Sequence, residues 1–181
     1  MKNRIVLMFL VALSLAVVSA PLSADTGIRA GYMNSTIRKG GEGFFENNYE
    51  SFYLGTLGDT KIIPLLYFGY GLEYYQTGSK LDDNNKLVLH YISLPLSLKV
   101  KFGPIQAFGG FHGAVKVSGS LTTLGQSTSA QGFETFDAGA FVGLGAKIAF
   151  IGAEARYTWG LIDIKDGYKN NYFQAGLTLW F

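Results

Sequence analysis

The sequence predicts an all-β fold, an eight-stranded antiparallel up-and-down transmembrane β-barrel of the bacterial outer membrane. Three observations predict it. Apolar and polar residues alternate with period two in about eight segments, the pattern of strands with two unlike faces. Charge within those segments falls on one parity only, and the links between them alternate short and long. No later segment has an unbroken apolar run, although the hydrophobic fraction is 48% and Gly (24) and aromatic residues (15%) are abundant. A strand needs only one apolar face to border lipid, whereas a spanning helix needs roughly 20 consecutive apolar residues.

The N-terminal residues have a different character. Lys2 and Arg4 precede an apolar run from Ile5 to Val18, and small residues follow as far as Ala24. This is the order of a cleaved signal peptide, residues 1–24, with the barrel domain over residues 25–181. The run is too short to span a bilayer, and Pro21 interrupts it. Without Lys2 and Arg4 the 15 basic residues become 13, equal to the 13 acidic ones. A neutral chain with scattered charges has no basic stripe for nucleic acid. The absence of cysteine excludes disulfides, thiolate chemistry and a Cys-linked lipid anchor.

Parity assigns the faces in order. The first strand sends Ile28, Ala30 and Tyr32 to lipid and Arg29, Gly31 and Met33 inward. The second sends Phe52 and Leu54 out and Tyr53 and Gly55 in, and the third, from about Ile62 to Gln76, turns Phe68, Tyr70, Leu72 and Tyr74 out and Glu73 in. The fourth alternates most regularly, with Ile92, Leu94, Leu96, Leu98, Val100 and Phe102 opposite Ser93, Pro95, Ser97, Lys99 and Lys101. On the fifth, Phe111, Val115 and Val117 face out while Gln106, Gly110, His112 and Lys116 face in. The sixth has Phe136, Val142, Leu144 and Ile148 outside, with Asp137, Gly139, Gly143, Gly145 and Lys147 inside. The seventh exposes Ala153, Ala155, Tyr157, Trp159 and Leu161 and encloses Glu154, Arg156 and Thr158. The eighth exposes Phe173, Ala175, Leu177, Leu179 and Phe181.

A soluble sandwich or closed barrel would hide these gapless apolar faces and leave a glycine-rich face outside, where strand glycines only weaken a sheet. Inside a narrow barrel the same glycines make room for long neighbours. Short links are expected at Asp59–Lys61, Gly103–Pro104 and Phe150–Gly152, and long ones at about 37–50, 77–86, 118–133 and 165–170. Short turns on one side and long loops on the other place both mature termini in the periplasm. Tyr32, Tyr74, Tyr157 and Trp159, with Phe102, Phe150 and Phe181 opposite, suit interfacial girdles.

Several segments in order resemble the PorT-like family of small outer-membrane barrels. They are Tyr75-Gln76-Thr77-Gly78-Ser79-Lys80, Tyr91-Ile92-Ser93-Leu94-Pro95-Leu96, Phe136-Asp137-Ala138-Gly139 with Gly143-Leu144-Gly145, and Glu154-Ala155-Arg156-Tyr157 with Gly160-Leu161. The resemblance spans nearly the whole of residues 25–181. It implies an eight-stranded barrel inserted by the general outer-membrane assembly machinery, with Phe181 as part of the C-terminal assembly signal. It implies no activity.

The lumen is expected to hold a polar network of Glu73, Lys99, Lys101, His112, Asp137, Glu154 and Arg156, with Arg29, Lys116 and Lys147 also inside. Eight strands enclose a space just wide enough for side chains, so opposite charges there pair and fill it. Glu154 and Arg156 share a face and are expected to join one network. A lipid A-modifying enzyme would need a His, a Ser and an acid near the outer leaflet. His90 sits near the rim, with Ser79, Asp82 and Asp83 nearby in sequence, but on lipid-facing parity and without fixed spacing. The sequence therefore predicts no enzyme, no cofactor and no metal centre. The 118–133 loop, free of charge before Glu134, and Gly40, Gly41, Gly43, Phe44 and Phe45 offer mobile contacts to an extracellular or envelope protein. The expectation is a monomer in outer-membrane lipid, with a side-chain-filled lumen and a structural or loop-mediated role. A narrow porin-like pore or a transport- or secretion-associated component is the alternative.

Overall fold

The computed structural model describes residues 25–40, 42–43, 47–82, 84–130 and 132–181. Residues 1–24, expected to be a signal peptide, and Gly41, Phe44, Phe45 and Asp83 lie outside the described residues. Eight long strands follow: β1 (Asp25–Lys39), β2 (Asn47–Ile63), β3 (Leu66–Asp82), β4 (Asn85–Phe102), β5 (Ile105–Thr123), β6 (Phe136–Ile148), β7 (Ile151–Gly160) and β8 (Lys169–Trp180). Each pairs antiparallel with its neighbour in sequence. β8 then returns to β1 in a register running from Gly27↔Trp180 to Arg38↔Lys169. That closure satisfies the edges that lipid could not.

The parity of the sequence is the parity of the wall. Leu96, Leu98, Val100 and Phe102 are 47–75% exposed on the outer face of β4, while Ser93, Ser97 and Lys99 between them are buried. The same alternation holds on β7, where Tyr157 and Trp159 are exposed and Glu154, Arg156 and Thr158 are buried. Large apolar groups outside and polar groups inside is the inverse of a water-soluble barrel.

Several boundaries differ from the expectation. The first turn is at Pro64–Leu65, not at Asp59–Lys61, because β2 continues to Ile63 and pairs there with Leu66. Asp59 stays in the ladder because its carboxylate meets two lysines inside the barrel. The expected long link at 77–86 is instead an extended hairpin, with β3 and β4 paired as far as Asp82↔Asn85. Inward residues Thr77, Ser79, Leu87 and Leu89 are all buried, and this packing overrides the polar composition that suggested a loop. In the 118–133 segment, β5 runs to Thr123 and a short strand, Gln126–Ser129, pairs back onto it. Leu124 and Gly125 turn that hairpin with φ of 51° and 78°. Ala130 and Phe133, expected to be mobile and exposed, are buried at the loop-end mouth. In the first loop, Arg38↔Gly43 and Lys39↔Glu42 extend the ladder.

Candidate functional site

The polar lumen lies in three layers, each built by inward side chains whose height is set by strand register. The middle layer joins Arg29 on β1, Glu73 on β3, Glu154 and Arg156 on β7, and Gln174 on β8. Arg29 Nη2 is 2.8 Å from Glu73 Oε2 and its Nη1 donates to Glu154 Oε1 at 2.9 Å. Arg156 donates through Nη2 to Glu73 Oε1 and through Nε to Gln174 Oε1. Gln174 Nε2 completes the ring by donating to Glu73 at 3.1 Å. All five side chains are buried, and the two guanidiniums balance the two carboxylates. Glu154 and Arg156 are both in the network, yet not as a direct pair. Two residues apart on one strand, they stand about 7 Å apart along it and turn to different partners.

Toward the short turns, Asp59 Oδ1 lies 2.9 Å from Lys99 Nζ and its Oδ2 lies 2.7 Å from Lys101 Nζ. The indole of Trp180 lies against three ammonium groups, with Lys99, Lys101 and Lys147 at 5.8, 5.4 and 4.3 Å from its centroid. Lys147 also meets Asp25 at 3.1 Å. The Asp59-Thr60-Lys61 composition suggests a turn and hides this lumenal role of Asp59. The two-step continuation from Tyr53 and Gly55 through Leu57 to Asp59 is the signal that locates it.

Toward the long loops the lumen becomes aromatic. Tyr75 stacks on Tyr91 at 5.4 Å and tilts against Tyr172 at 5.2 Å. Tyr172 Oη and His112 Nε2 are 3.1 Å apart. Asp137 was expected among paired charges, but its Oδ2 accepts instead from Asn170 Nδ2 at 2.6 Å. Of the expected lumenal cations, all but Lys116 lie in the two lower layers. Lys116 is at the loop mouth, where Nζ donates to the Phe133 carbonyl at 2.6 Å. Met33, Ile37, Leu87, Leu89, Phe133 and Ile164 pack over this layer as an apolar plug.

Little space remains. Between the middle and lower layers, Arg29, Leu57, Gly69, Tyr70, Lys99 and Arg156 line a cavity of about 10 Å³, room for about one water. Gly139 shows how tight the fill is, since a Cβ there would lie 2.4 Å from His112 Nε2.

The residues weighed for lipid chemistry are not brought together. His90 faces outward with Nδ1 2.7 Å from the Tyr74 hydroxyl, whereas Ser79 is buried on the inward face. Asp82 accepts from the Asn84 backbone N–H at 2.8 Å and from Asn85, holding the hairpin turn. No group of three His, Cys, Asp or Glu suited to a metal occurs among the described residues.

Comparison with known proteins agrees with this architecture. The attachment invasion locus protein Ail of Yersinia pestis, crystallised with the heparin analogue sucrose octasulfate, is 15% identical and superposes with a TM-score of 0.58 over 88% of this chain and 100% of that one. Neisserial surface protein A is 13% identical, with a TM-score of 0.63 over 88% and 99%. At these identities the likeness is one of fold. No curated protein matches the sequence. A family model described as outer membrane protein beta-barrel domain matches residues 23–166, and the chain belongs to that family.

Proposed function

We propose that this outer-membrane barrel is closed to solutes, and that its role is structural or carried by its long-loop end. The carrying observation is the buried Arg29–Glu73–Arg156 bridge, which crosses the lumen from β1 and β7 to β3. Opening a passage there would strand charges that are costly to leave unpaired. The apolar plug and the Trp180 layer support the same reading at the two mouths.

Within the family, the ordered segments from Tyr75 to Leu161 support a PorT-like branch. The short turns and both ends of the 25–181 domain lie together, which supports a periplasmic position for them. Phe181, 79% exposed beside the lipid-facing row of β8, would contact the assembly machinery. Among the described residues the eight barrel strands close on themselves without a free edge, which supports a monomer. No turnover is assigned: the ring nitrogen of His90 that a general base would present to an orienting carboxylate meets a phenol.

The test is reconstitution of residues 25–181 into lipid vesicles loaded with a small anionic dye and with glucose. A heat-shifted gel band with no release above protein-free vesicles is the expected result. Release proportional to folded protein would instead establish the pore.

A further inference from the structure

Positions that face lipid tails should be apolar, and on β4 they are, from Ile92 to Phe102. At ~3.3 Å per residue and a tilt of ~40°, that run is about 25 Å tall, the height of an outer-membrane apolar band. One outward step above it, toward the loops, stands His90. Three neighbouring strands change character at the same level: Leu72 and Tyr74 give way to Gln76 on β3, Phe52 to Glu50 on β2, and Tyr32 to Asn34 on β1. Register sets Gln76 opposite His90 and Asn34 opposite Glu50.

These side chains bond along the wall. Gln76 Nε2 donates to the Tyr74 hydroxyl at 3.1 Å, and that hydroxyl meets His90 at 2.7 Å. On the neighbouring strands, the Tyr32 hydroxyl donates to Glu50 at 3.0 Å and Asn48 donates to Asn34 at 2.8 Å. On β6 and β7 the outer face at the loop end stays apolar with Phe136 and Trp159, and Leu161 follows, so the polar wall does not run through those strands. A second observation lies two outward positions above it, beyond Gly78 and the buried Val88. Lys80 and Lys86 are directly opposed across β3 and β4, and neither pairs with a carboxylate among the described residues. Like charges placed opposite each other repel, and an anion between them reverses the sign.

We infer that the outer wall of β1–β4 binds the phosphorylated sugar headgroup of an outer-leaflet glycolipid. Lys80 and Lys86 take the phosphate as point charges. Below them the amides of Gln76 and Asn34, the Glu50 carboxylate and the Tyr74–His90 pair present donors and acceptors to sugar hydroxyls. The inference rests on the loop end facing the cell exterior.

The probe is bisphosphorylated lipid A, with fully dephosphorylated lipid A and phosphatidylglycerol as controls, added to residues 25–181 folded in detergent and followed by native mass spectrometry. Retention of bisphosphorylated lipid A, weakened about tenfold by the double substitution Lys80→Gln, Lys86→Gln in a barrel that keeps its heat-shifted band, is expected. His90→Leu with Gln76→Leu should weaken both forms of lipid A. Equal retention by the lysine double variant, or equal competition by phosphatidylglycerol, overturns the site. Orientation is read separately: the chain has no cysteine, so Ser127→Cys supplies a single thiol for an impermeant maleimide on intact cells. Labelling without lipid A retention overturns the headgroup site alone, and absent labelling overturns the orientation and with it the ligand.

Discussion

Glu73→Gln tests the central idea that the lumen is held shut by balanced charge. Glu73 is 1% exposed and meets Arg29, Arg156 and Gln174 at once. The substitution keeps the size of the side chain but leaves two buried guanidiniums facing the single carboxylate of Glu154. Removing one partner of a buried ion pair costs about 3–5 kcal/mol, because the remaining charge stays desolvated. Removing charge from both sides should cost far less. The double variant Glu73→Gln, Arg156→Met restores neutrality and is expected to recover to within about 1–2 kcal/mol of the parent. Urea unfolding from lipid vesicles measures both. The two tryptophans report from different places, Trp159 on the lipid face and Trp180 within the short-turn mouth. A loss below about 1 kcal/mol for Glu73→Gln, or strictly additive losses in the double variant, would refute the pairing argument.

Asp59→Asn leaves Lys99, 4% exposed, beside Lys101 with no counter-ion, and is expected to cost about 3 kcal/mol in the same unfolding assay. Adding Lys99→Met should restore most of that loss. Leu65 holds φ at 71° in the first turn, so Leu65→Asn, a residue that tolerates this conformation, should stabilise by about 0.5–1 kcal/mol at the urea midpoint. Phe133→Ala removes a buried ring from the loop-end plug at a local cost of about 3 kcal/mol. Protease cleavage within 124–135 should then quicken by about two decades while the heat-shifted band persists.

What the sequence disclosed follows from which solvent each residue meets. Lipid imposes one rule on every outward position, so the faces of β4, β6 and β7 could be assigned from two-step alternation alone. Lumenal residues obey no common solvent and are selected by particular partners across the barrel, which alternation does not encode. Hence Glu154 and Arg156 were placed inside, while their separate partners, Arg29 and Glu73, became visible only when register aligned β1, β3 and β7. The same gap explains Asp59. By composition Asp59-Thr60-Lys61 looks like a turn; the two-step continuation from Tyr53 carries Asp59 to the inner face, and its partners Lys99 and Lys101, some forty residues on, hold it there. The loop-end hairpins depart from the expected loops for the converse reason. Thr77, Ser79 and Ser120 carry turn-forming composition, but Leu87, Leu89, Phe133 and Ile164 give the extension a core of its own.

The energetics of the middle layer bear directly on conduction. A solute crossing the lumen must part Arg29 or Arg156 from Glu73. If that separation costs ~4 kcal/mol, the parted state is populated about once in a thousand, at roughly 1.4 kcal/mol per decade. Even then the adjoining cavity of about 10 Å³ admits one water and not a sugar or an amino acid. The Trp180 layer and the apolar plug must open as well, and neither uses a side chain of the bridge between them. Three closures that do not share residues open together far more rarely than any one of them. Neutralising the bridge while keeping its volume, as in the Glu73→Gln, Arg156→Met variant, therefore removes one closure only. It should leave dye release at the protein-free level, and release from that variant would show that the charges alone hold the barrel shut.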